Sequence, residues 1–188
     1  MMAISNAFAN QIQNRNFLSP LGFKFTLNRT NKVAFFGTTA NIPGISLGVA
    51  EQPTYLRDIP VPGDKMSFDD FSLRFMVDEN LENYMEIQKW IRGIGYPESL
   101  EQIYDFQKTN PNLSQPEGSQ INLFCDATLI ILNSSNLGNF KVKFKDLFPI
   151  SLTTLEFDAA DRDVDYFTAD VGFKYTMYNL TDMDDKLL

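Results

Sequence analysis

Toward the end of the chain Phe167, Ala169, Val171, Phe173, Tyr175 and Met177 alternate with Thr168, Asp170, Gly172, Lys174 and Thr176. A period of two puts every apolar member on one face of a strand and every polar member on the other, which no helix can do. The same alternation sets Phe23, Phe25 and Leu27 against Lys24, Thr26 and Asn28, and sets Phe71, Leu73, Phe75 and Val77 against Ser72, Arg74 and Met76. Residues 33–36, 121–132, 140–144 and 152–157 read as further strands, with 33–36 closing a hairpin onto the first strand through a turn at Thr30-Asn31. Seventeen phenylalanines in 188 residues supply the bulk for a well-filled β-type core, and that length suits one domain.

Helical spacing occurs twice. Ile4, Phe8 and Ile12 stand four apart within residues 3–17, an amphipathic segment opened by Ser5 or Asn6 that needs a partner surface. After Asp78-Glu79-Asn80, expected to cap a helix, Leu81, Tyr84, Ile87, Gln88 and Ile91 keep the helical period. Trp90 and Ile94 widen the apolar face until Gly93 and Gly95 end it. The reading is a mainly β chain flanked by one well-formed α-helix. Residues 97–118 are polar, carry Asn110-Pro111 and Pro116-Glu117-Gly118, and form an exposed insertion; 181–188 form a charged tail expected to fray.

Residues 38–62 are rich in Pro and Gly yet apolar. Ile42, Pro43, Ile45, Leu47, Val49, Tyr55, Leu56 and Ile59 would all face water in a solvated loop, so something must cover them. The segment either packs along its own domain as an extended excursion or reaches out as an arm onto a neighbouring copy.

Composition removes several functional classes. A net charge of −8 with no basic run disfavours a grip on phosphate backbones, although a surface past which DNA slides should carry the same sign as DNA. Histidine is absent, which takes away the commonest general base near neutral pH and the commonest metal ligand. The single cysteine, Cys125, lies in an apolar run and reads as a buried structural thiol. Neither a membrane span nor an export signal is seen, so no membrane anchor is expected. The run from Asp158 to Asp165 lacks the glycine and terminal glutamate of a calcium loop, Gly93-Ile94-Gly95 follows a helix instead of opening one, and no serine has a histidine to activate it. No catalytic residue, metal ligand or cofactor site emerges, and no cofactor is expected.

The stretch Ile59-Pro-Val-Pro-Gly-Asp-Lys-Met-Ser-Phe-Asp-Asp-Phe-Ser-Leu-Arg-Phe-Met-Val-Asp-Glu-Asn resembles the tail tube proteins of contractile-tailed bacteriophages. There a Gly-Asp-Lys/Arg turn leads into Phe-Asp-Asp-aromatic, a strand, and an acidic helix start that ends near an aromatic such as Trp90. Phe144-Lys-Asp-Leu-Phe-Pro-Ile-Ser-Leu-Thr-Thr-Leu-Glu-Phe-Asp is similar to a second segment of that family, followed likewise by an acidic loop and a long alternating strand. The resemblance spans most of the chain, apart from residues 96–119.

It implies two packed antiparallel sheets flanked by a helix, in a sandwich or barrel whose copies join in hexameric rings around a channel. The implied partners are copies of the same chain, adjacent tube rings, and tail sheath and baseplate proteins. DNA passes through unbound, in a virion tail assembled in the host cytoplasm. Under this resemblance residues 38–62 dock on a neighbour, and Asp69, Asp70, Glu156, Asp158 and Asp170 are candidates to face the lumen. An initiator or terminator ring and a type VI secretion tube are the alternatives within the fold; a carbohydrate-binding module or glycan hydrolase is the alternative outside it.

Overall fold

In a computed structural model the described residues are 22–28, 37–95, 124–157 and 166–188, with Leu18, Glu98, Ser99 and Glu101. The expected helix at 3–17, the strand at 33–36 and most of the insertion at 97–118 lie outside them. Nine strands and one helix occur among the described residues: β1 (Phe23–Leu27), β2 (Gly37–Ala40), β3 (Ile45–Gln52), β4 (Ile59–Phe68), β5 (Phe71–Met76), α1 (Glu82–Gly95), β6 (Cys125–Leu132), β7 (Gly138–Leu152), β8 (Thr168–Lys174) and β9 (Met177–Asp182).

Strand β7 is 15 residues long because it serves two layers. Its first part pairs with β6 on one side and β9 on the other, and β6 in turn pairs with β1; its last part pairs with β8, which continues through β5 to β2. Every pairing is antiparallel. The change of layer falls at a bulge, where Ala127 opposes Phe144 but Cys125 opposes Leu147. Asp146 takes the extra position with a φ of 55°, a conformation that aspartate tolerates better than most residues. Its amide donates to the Asp126 carboxylate of β6 at 3.1 Å, which holds the bend. Strands β1 and β2 stand at opposite ends of the order and do not pair, so the described strands form no closed barrel.

The two layers meet through phenylalanines. Phe71 of β5 lies 4.6 Å ring to ring from Phe144 of β7 and 5.2 Å from Phe25 of β1, and Phe173 of β8 lies 5.9 Å from Phe71. All four rings are buried. Fully burying such a side chain contributes on the order of 2–3 kcal/mol, so this aromatic contact is the main force joining the layers. Ile87 and Trp90 of α1 complete the core, with the Trp90 ring 6.2 Å from Phe173, and Cys125 is buried as expected.

Four expectations need correction. The run Asp78-Glu79-Asn80 does not cap the helix directly. It forms a turn, closed by the Leu81 amide on the Asp78 carbonyl, and delivers Leu81 at φ 56° to the cap position, where its carbonyl accepts from the Met85 amide. Buried Asn83 ties this turn to β5: its side-chain amide donates to the Met76 carbonyl at 2.8 Å while its oxygen accepts from the Asp78 amide. Residues 140–144 and 152–157 are not two strands; β7 runs through Pro149 to Leu152 and the remainder is irregular. The expected strand 167–177 divides at Tyr175-Thr176 into β8 and β9, which sit in different layers. The tail is placed and not loose: residues 183–188 turn back on β9.

Candidate assembly surface

Residues 38–62 divide between the edge of the body and a hairpin that leaves it. Strand β2 joins β5 at the sheet edge, and β3 and β4 form a two-stranded hairpin that pairs with no other strand among the described residues. Ile45 pairs with Phe68, Leu47 with Met66, Val49 with Pro62 and Gln52 with Ile59. All eight residues of β3 are exposed, and on β4 only Gly63 and Phe68 are partly covered. Of the arm residues singled out in the sequence, Ile42, Ile45, Leu47, Val49, Tyr55, Leu56 and Ile59 lie exposed. Pro43 does not: it is buried at the arm's root. The register adds Val61 and Met66 to the exposed apolar set. Sequence reasoning passed over these two because β4 mixes Pro, Gly and charge without strict alternation.

At the far end of the hairpin the side chains of Tyr55 and Leu56 project into solvent, 108% and 97% exposed. The Thr54 hydroxyl accepts from the Arg57 amide and donates to the Arg57 carbonyl, closing the turn at the tip. Midway along the arm, Gly48 and Gly63 meet at a bulge. A Cβ on Gly63 would lie 2.6 Å from the Gly48 carbonyl oxygen, so glycine is required there by close backbone approach.

The arm is fixed at its root by two tyrosines from the corner between β8 and β9. The Tyr178 hydroxyl donates to the Pro43 carbonyl at 3.0 Å, where the chain goes into the arm, and the Tyr175 hydroxyl donates to the Asp69 carbonyl at 2.8 Å, where it leaves. The Asp69 amide closes the root on the Gly44 carbonyl at 3.1 Å. Beneath these bonds Phe68 lies 6.0 Å from the Tyr175 ring and 5.7 Å from the Tyr178 ring, and Phe144 carries the cluster into the core at 5.1 Å from Tyr175. Burial pushes the Tyr175 phenol up to about 12, with Tyr178, Asp69 and Asp70 adding to the rise. No signal in the sequence marks this pair, because Tyr175 reads there as one more alternating core residue.

The candidate lumen acids are placed unevenly. Asp70 is paired with Lys174 at 3.0 Å, and Asp170 forms a two-pronged contact with Arg74 on the facing strand, at 2.8 and 3.0 Å. The Asp170 carboxylate raises the Arg74 guanidinium further above its ordinary value. Asp69 sits at the arm root, its carboxylate against Gly44, and Glu156 lies exposed beyond the end of β7. Asp158 is outside the described residues. Among the described residues no group of three or more His, Cys, Asp or Glu side chains gathers to hold a metal ion, and no helix is long and apolar enough to cross a membrane.

No curated protein matches the chain in sequence. Solved structures share its fold. A chain of the anti-feeding prophage cap, a tube terminating cap, superposes with a TM-score of 0.59 at 17% identity over 96% of this chain and 99% of that one. A chain of the anti-feeding prophage baseplate gives 0.56 at 10% identity, covering 85% and 91%. A chain of the PVC sheath–tube complex, from an extracellular contractile injection system in the extended state, gives 0.54 at 16% identity, covering 90% and 94%. A family model described as phage tail tube protein matches residues 3–181. The chain therefore belongs to the phage tail tube protein family.

Proposed function

We propose that this chain is a structural, non-catalytic subunit of a contractile tail, one that closes into hexameric rings which stack into the inner tube. The observation that carries the reading is the exposed apolar hairpin from Ile45 to Phe68, clamped at its root and left uncovered by the described residues of its own chain. An isolated two-stranded hairpin is marginal in water, and an apolar surface of this extent is the mark of an interface. Ile42, Ile45, Leu47, Val49, Tyr55, Leu56 and Ile59 serve as contacts to an adjacent subunit or ring, while Pro43 supports the arm from within.

The outside of the assembled tube meets sheath and baseplate proteins, as the setting of the PVC and anti-feeding prophage relatives suggests. Its channel passes DNA without holding it, in keeping with a net charge of −8 and the lack of basic runs. Asp69 and Glu156 are better candidates for lumen charge than Asp70 and Asp170, whose charges are offset by Lys174 and Arg74, and Asp158 stays a candidate on its place in the sequence alone. Concentration-dependent sedimentation with negative-stain imaging tests the reading. Stacked rings or tubes are expected; single rings that do not stack would favour an end ring such as the terminator, and a monomer at every concentration would refute the assembly.

A further inference from the structure

The outer edge of β9 is occupied by the chain's own last residues. The Asp182 amide donates to the Lys186 carbonyl at 2.8 Å, Thr181 bridges Leu187 in antiparallel fashion, and the Leu188 amide donates to the Leu180 carbonyl at 3.2 Å. The turn between them is held against β7 by polar contacts. The Asp185 carboxylate lies 2.9 Å from both Lys141 and Lys143, and the Lys141 ammonium also donates to the Met183 carbonyl at 2.8 Å. Met183 rests over Gly138, where a Cβ would stand 2.6 Å from the Met183 methyl carbon.

This closure is shallow. Leu187 and Leu188 remain 68% and 77% exposed, so the returning segment gains little from burial. On the covered strand the Thr181 hydroxyl is buried without a hydrogen-bond partner among the described residues, so it adds no bond to the closure. The Lys143–Asp185 pair, 40% and 54% exposed, is weak and screened by salt, while Lys141, 17% exposed, is the more sheltered partner of the same carboxylate. Met177 and Leu180 on the same strand are also left partly exposed, so a better-fitting strand at this edge would bury more apolar surface than the tail does.

We propose that residues 183–188 form a detachable clasp that occupies the β9 edge in the free subunit and gives way to an edge strand from a second copy of this chain. The clasp keeps the pairing groups satisfied before assembly and prevents indiscriminate strand addition; displacement exposes the edge where the ring is being built. The inference rests on the ring-forming reading above. It adds to it the location of one joint and a device that delays its formation.

The test compares native protein with Asp185→Lys, which sets like charge against Lys141 and Lys143, and with Asp185→Asn, which keeps the shape and weakens the pairing. Hydrogen exchange at the Asp182 and Leu188 amides reports opening, thermal unfolding reports the fold, and sedimentation velocity reports association. With the fold retained, exchange at both amides should quicken and the concentration needed for association should fall about three- to tenfold, more for Lys than for Asn, in line with the modest strength of surface ion pairs. Should Asp185→Lys not fold, Asp185→Asn carries the same comparison. Faster exchange with unchanged or weaker association overturns the clasp and leaves the ring reading standing. Native and variant proteins that both stay monomeric overturn both.

Discussion

Replacing Tyr55 and Leu56 together by alanine should separate folding from assembly. In the free subunit neither side chain is covered, so removing them takes nothing from the core, and unfolding should shift by no more than about 0.5 kcal/mol, the usual range for surface substitutions. In the assembled tube both would be buried. A tyrosine covers roughly 150–250 Å², and at about 25 cal/mol per Å² that is roughly 4–6 kcal/mol before the costs of ordering and desolvation. Retaining about 2 kcal/mol for each anchor, the threshold for an interface hot spot, gives a loss of about 4 kcal/mol per contact. At about 1.4 kcal/mol per decade this weakens association roughly a thousandfold. Light scattering on a dilution series measures the concentration at which native and variant protein assemble, and circular dichroism melting follows the fold. An assembly concentration within about threefold of native, alongside an unchanged melt, would refute the docking role of the arm tip, since hot-spot losses are much larger than that.

Tyr178→Phe should remove one root hydrogen bond, worth about 1 kcal/mol, leave the Pro43 carbonyl unpartnered, and speed hydrogen exchange across the arm base with little change in the core. Tyr175 should titrate late: a phenol raised to about 12 favours the protonated form in the folded state, so its stabilising contribution is whole below the ordinary tyrosine value near 10 and is lost as pH climbs from there toward 12. Ultraviolet titration of native protein against Tyr175→Phe checks this, and loss of a tyrosine titrating near 10 in the variant would contradict it. Gly63→Ala should force the bulge apart, because its Cβ would meet the Gly48 carbonyl at 2.6 Å; exchange should quicken from Ile45 to Phe68 while the melting of the body stays close to native.

Where alternation was strict and the face it defines is buried, the sequence sufficed: Phe71, Leu73 and Phe75 form β5, and Phe23, Phe25 and Leu27 form β1, much as the pattern required. Trp90 also faces the core, as its helical position demanded. The failures share a cause. Tyr175 continues the apolar alternation of β8, but the chain turns there because β9 belongs to the other layer, and periodicity within a segment carries no information about which sheet it joins. Asp146 likewise looks like one polar residue among several, although its left-handed backbone is what lets β7 serve both layers. The arm was legible as apolar surface without cover, yet its hairpin form was hidden because Pro60 and Pro62 argue against a strand. Two prolines are tolerated in β4 because no further strand among the described residues pairs on its other side.

At the arm root the tyrosine hydroxyls take hold of main-chain carbonyls, at Pro43 and Asp69, while their rings pack on Phe68 at the base of the arm. Direction and chemistry are thereby largely separated: the angle at which the hairpin leaves the body is set by two main-chain carbonyls and one ring at its base. Residues from Ile45 outward can be exchanged to suit a different neighbour without re-aiming the limb that presents them.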